Sequence, residues 1–156
     1  MSKLAGSVRA VVVVLGLLMA AGLASAQSGP QFLHAASSVS FDATVSSLKR
    51  AVASNGMMVL GHLNQKGALS TTGLSLRGAE AFFVGNPVVG KKLFQTDPSV
   101  GVVIPLRMYV WVDSSGKTEV GYFRPSDLFV GVSPALAKAG ATMDGVFAKI
   151  LSQATQ

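Results

Sequence analysis

The chain has 156 residues, 13 basic against 7 acidic side chains, a net charge of +6, two histidines and no cysteine. The missing thiols exclude disulfides, thiolate metal sites and thiol catalysis. The basic residues are scattered, with only Lys49-Arg50 and Lys91-Lys92 adjacent, so no dense stripe of the kind that holds nucleic acid is present.

Lys3 and Arg9 flank the start of a run of 14 apolar or small residues, Ala10 to Leu23, which ends at Ala24-Ser25-Ala26. A positive n-region, a short apolar run and an A-x-A site form a secretory signal peptide. The run falls short of the roughly 20 residues that span a bilayer. The expectation is a signal peptide over residues 1–26, cleavage near Ala26, and a periplasmic or extracellular protein with no membrane contact afterwards. Setting Lys3 and Arg9 aside lowers the net charge from +6 to +4. The remaining chain suits one domain with its own core.

Residues 27–38 are polar and mixed, contain Gly29-Pro30 and His34, and read as a flexible leader. A single domain is expected over residues 39–156. It opens with a short strand at Val39 to Phe41, after which Asp42 can cap a helix. Val45, Leu48 and Val52 recur at helical spacing on one stripe. Asn55-Gly56 supplies a left-handed stop. Met57 to Leu63 reads as a strand, and Gly67 to Gly73 as a polar connection. Ala81-Phe82-Phe83-Val84 marks the next strand, apolar enough to be buried on both faces.

Gly85-Asn86-Pro87 then turns the chain, with positive φ expected at Gly85 and Pro87 in the first turn of a short helix reaching about Gln95. Val102 to Val112 and Lys117 to Arg124 form a hairpin around Asp113-Ser114-Ser115-Gly116. Pro105, near the start of the first of these strands, implies an edge or an unpaired N–H. After a loop, Pro134 to about Gln153 is a terminal helix with Leu136, Met143, Val146, Phe147, Ile150 and Leu151 on its apolar face. The order is β-α-β-β-α-β-β-α. Adjacent strands broken by helices predict an α+β fold, an antiparallel sheet with helices packed on one face.

From about Phe41 to Leu151 the chain resembles the DUF302 family. The resemblance rests on Phe41, Gly56, His62, Gly85-Asn86-Pro87, Pro105-Leu106-Arg107, Trp111 and Tyr122 in this order. It implies a small α+β domain of unknown activity, a TATA-binding-protein-like arrangement of sheet and helices, and association as a homodimer. Two departures stand out. Where many members resemble Asp-His, this chain has Gly61-His62, and where many carry an acid before the Leu-Pro-Leu segment it has Val103-Ile104-Pro105-Leu106.

Placing Val112 opposite Lys117 across the hairpin puts Arg107, Tyr109, Trp111 and Tyr122 on one sheet face. Leu106, Met108, Val110, Glu119, Gly121 and Phe123 then take the other, under the helices. Arg, Tyr and Trp together are typical of an interface or a ligand platform. His62, on a strand face shared with Met58 and Leu60, can serve acid–base work, a metal contact or a structural hydrogen bond. Asn86 can serve the turn or, with Lys91 and Lys92, an anion at the helix start. No Ser-His-Asp order, nucleotide loop or metal-ligand cluster is present, so no catalytic residue and no cofactor is assigned. The reading is an exported, dimeric binding or interaction module, with a small-molecule or anionic ligand as a possible partner. The alternative is a small enzyme or a metal or ligand carrier centred on His62.

Overall fold

The computed structural model describes residues 29–156, so the segment read as a signal peptide lies outside the described residues. The elements run β1 (Phe32–Ala36), α1 (Phe41–Ser54), β2 (Met58–Asn64), α2 (Gln65–Ser70), β3 (Ala79–Gly85), α3 (Pro87–Thr96), β4 (Leu106–Val112), β5 (Thr118–Phe123), α4 (Pro125–Val132) and α5 (Ala137–Ala154). The five strands form one antiparallel sheet in the order β1-β5-β4-β3-β2. The α+β class is as expected, and two short helices, α2 and α4, stand where connections were predicted.

The start of the domain differs most. Phe32 to Ala36, expected in a flexible leader, is an edge strand, with Phe32 opposite Phe123, His34 opposite Gly121 and Ala36 opposite Glu119. Its alternation puts Leu33 against the core and leaves Phe32 and His34 on the other side. Val39 to Phe41 is not a strand. Ser40 is the N-cap of α1, its hydroxyl accepting from the Ala43 amide at 3.4 Å. Asp42 therefore falls inside the first turn, where its charge still suits the helix dipole. The predicted stripe is buried at Val45, Leu48 and Val52. Gly56 ends the helix at φ 70°.

Helices α1 and α5 pack on each other and on one face of the sheet. Leu48, Phe82, Met108, Phe129, Phe147 and Ile150 have no exposed surface, and the core lies between these layers. Gly140 of α5 is where α4 crosses: a Cβ there would lie 2.7 Å from the Ser126 Cα. Asp144, one turn on, accepts the Ser126 amide at 2.9 Å and so caps the start of α4. The roughly 1 kcal/mol that glycine costs a helix interior is thus exchanged for close packing of two helices.

Pro105 immediately precedes β4, an interior strand paired on both sides, so it removes no ladder bond and marks no edge. Gly85 is not at positive φ. Its missing side chain is instead a matter of room, since a Cβ would meet the Leu60 Cδ1 at 2.8 Å. Leu60 is displaced because β2 carries a bulge between Val59 and Gly61.

Candidate functional site

The hairpin register decides which side chains share the open face. Val112 pairs with Thr118, not Lys117. The Asp113 amide donates to the Lys117 carbonyl at 2.8 Å, so only Ser114, Ser115 and Gly116 form the loop. Gly116 takes φ 92°, the left-handed residue that closes a three-residue hairpin loop. Asp113 fixes this geometry by accepting from the Lys117 amide at 2.9 Å and the Ser115 hydroxyl at 2.8 Å. These bonds hold the Asp113 carboxyl below its usual range, the Ser115 hydroxyl contributing most.

A one-residue slip turns a whole strand over. Tyr122 therefore points into the core, its ring 5.4 Å from Phe147, and leaves the predicted platform. Glu119, Gly121 and Phe123, expected under the helices, lie on the open face instead. Arg107, Tyr109 and Trp111 are there as predicted. Across β3 the same face presents Ala79, Ala81 and Phe83.

The unexpected strand β1 completes this surface. The His34 ring stacks on Phe32 at 5.3 Å, and both lie 6.0 Å from Trp111. Trp111 stacks in turn on Tyr109 at 5.4 Å, and Phe32 meets Phe123 at 5.4 Å. Gly121 makes room beneath: a Cβ there would sit 2.8 Å from the Phe32 ring. The His34 Nδ1 lies 3.0 Å from a Glu119 carboxylate oxygen. Arg107, Tyr109, Phe32, Phe123 and Gln65 surround a hollow of about 250 Å³. Desolvation raises the Tyr109 pKa above its usual value, opposed in part by Arg107. The sequence signal for the missed half was the alternation Phe32-x-His34, which a strand needs to show two side chains on one face.

The other candidates stand elsewhere. His62 is on the helix side of the sheet at its β2 edge, because the bulge puts Met58 on the opposite face from it. Its Nε2 lies 2.8 Å from Glu80, and its ring stacks on Phe82 at 4.7 Å. No Arg107, Asn86 or Tyr122 joins it. Among the described residues, no three His, Cys, Asp or Glu side chains come together to hold a metal. Asn86 is the N-cap of α3, its Oδ1 accepting from the Val88 and Val89 amides at 2.8 and 3.3 Å. Its Nδ2 donates to the Gly56 carbonyl at 2.8 Å, tying the turn to the end of α1. Pro87 takes the first helical position as expected.

The comparisons agree on family and fold. Residues 33–151 match DUF302, described as a domain of unknown function. A crystal structure of an uncharacterized conserved DUF302 protein from Bacillus stearothermophilus superposes with a TM-score of 0.73 at 22% identity, covering 79% of this chain and 97% of that one. No curated protein matches the chain.

Proposed function

The chain belongs to the DUF302 family, and from that premise we propose that it is an exported interaction module that dimerises by closing its open sheet face on a second copy. The observation behind this reading is the contiguous ring cluster of Phe32, His34, Tyr109, Trp111 and Phe123 around Gly121. Aromatic residues with an arginine at the margin are the composition of protein interfaces. A two-fold contact sets one patch against itself. Arg107 and Glu119 lie on this same face with opposite charges, so two-fold apposition can match one with the other. Phe32 and Phe123 are nearly half exposed in the single chain, which a partner would relieve.

Sedimentation across a concentration series tests the association. Wild type should shift from monomer to dimer, and Trp111→Ala should raise the dissociation constant at least tenfold. A wild type that stays monomeric throughout removes the proposal. The exported part rests on the charged and apolar residues before Ala26, and it requires the mature protein to begin at or near Gln27. N-terminal sequencing that returned Met1 or Ser2 would overturn it.

A further inference from the structure

A cavity of about 370 Å³ opens beneath the Gly85-Asn86-Pro87 turn, between α3 and the start of β2. Its floor is core: Met57, Val84, Leu106, Phe129 and Met143 are all buried. Leu60 and Phe94 stand at the mouth, each 47% exposed. Lys91 is the one charged side chain in the lining. It has no ion-pair partner among the described residues.

Three backbone features keep this space open. The bulge in β2 displaces Leu60 toward the end of the sheet, and Gly85 leaves room for its Cδ1. Gly90, on the wall formed by α3, has nothing within 4 Å of where a Cβ would sit. Asn86, also in the lining, has its carbonyl and amide already engaged by the helix start and by Gly56. Lys91 is thus the one charged side chain that borders the cavity, and its flexible stem lets the amine reach the mouth.

A bound water needs two to four polar partners, which such walls do not provide. An apolar body fits them, and buried Met57 and Met143 can adjust to its shape. The volume of about 370 Å³ leaves room for a ligand of modest size. That is within the size range of small-molecule sites, which are mostly apolar with few convergent polar groups. We propose that this cavity binds a single-chain anionic amphiphile, such as a medium-chain fatty acid, with the chain inside and the carboxylate on Lys91. The lining shares no residue with the ring cluster of Phe32, His34, Tyr109, Trp111 and Phe123, so the site does not depend on dimerisation.

Calorimetric titration of the purified protein with hexanoate, octanoate, decanoate and dodecanoate, each below its micelle concentration, tests it. The dissociation constant should fall roughly fourfold per added methylene until the chain fills the cavity. Lys91→Gln should weaken decanoate about tenfold and leave 1-decanol unchanged. Gly90→Phe, which puts a ring into the open space, should abolish binding with the sedimentation behaviour retained. In wild type, decanoate should move the methyl resonances of Met57 and Met143, a readout that needs no variant to fold. Absence of binding at millimolar decanoate, affinity independent of chain length, or shifts confined to the Trp111 side of the sheet would each overturn the proposal.

Discussion

On the helix side of the sheet Phe82, Met108, Val110 and Val120 have no exposed surface, whereas on the open side Phe32, Leu63 and Phe123 keep 46%, 46% and 43% of theirs. Both sets come from the same five strands, alternating residue by residue. An ordinary antiparallel sheet resolves this alternation by making its outer positions polar. Here the outer positions stay aromatic or small, and the charges among them, Arg107 and Glu119, are few. The helix side is finished by α1 and α5. The open side lacks an equivalent cover among the described residues, and its small residues, Ala79, Ala81 and Gly121, leave the larger rings standing above a flat floor. The difference teaches that apolar character on a strand does not locate the core. Only register and helix placement do.

Truncating one phenylalanine on each side gives the largest contrast. Phe82→Ala should cost about 3–5 kcal/mol, because it leaves a cavity in close-packed surroundings. Phe123→Ala should cost about 1 kcal/mol or less when measured at a dilution where the protein is monomeric, since it leaves no enclosed void. At higher concentration the second variant should also lose the part of the apparent stability that self-association supplies to wild type. Thermal or urea melts at two concentrations check both. Equal costs for the two substitutions would mean that the open side is packed as a core in the monomer.

Much of this contrast was legible before the structure. The stripe Val45, Leu48, Val52 and the face Met143, Phe147, Ile150 are long helical periodicities, and they mark the covered side correctly. Gly56 announced its left-handed conformation, and Gly116 its place in the hairpin turn. What escaped was short or depended on a count of one. Phe32 to Ala36 has five residues inside a polar stretch, and its hydrogen bonds belong to β5, far along the chain. Phe123 and Tyr122 exchanged faces because Asp113 joins the ladder and leaves a loop of three residues, not four. His62 and Met58 parted because the bulge around Leu60 changes the parity of β2. Hydrogen-bond geometry at Asp113 and steric room at Gly85 set these parities, and neither is visible in hydrophobic alternation. Glu80 was not foreseen beside His62 for the same reason: cross-strand neighbours follow from register.

The smallest expected effect compares two tyrosines, one from each side. Burial raises the pKa of Tyr122 above the usual 10.0, with Asp144 adding and Arg124 opposing. A tyrosine is neutral when protonated, so a raised value means that the folded state holds its proton more tightly than the unfolded state does. The stabilisation is therefore complete below the unfolded value near 10. It is lost as the pH climbs through the folded value, because ionisation then favours unfolding. Tyr122→Phe keeps the contact with Phe147 and removes the ionisation. The difference in unfolding free energy between this variant and wild type should be flat up to about pH 10 and should move in favour of the variant above it. Tyr109 is raised for the same leading reason, desolvation, but it sits beside Arg107 on the open face. Tyr109→Phe should shift the alkaline unfolding of the dilute monomer in the same direction but less than Tyr122→Phe does, because Arg107 offsets part of the desolvation, and it should also alter the alkaline dependence of association, read by sedimentation between about pH 9 and 11. The comparison of faces fails at this level if Tyr109→Phe shifts the unfolding of the dilute monomer as much as Tyr122→Phe does, for then both rings would be held in the same kind of interior.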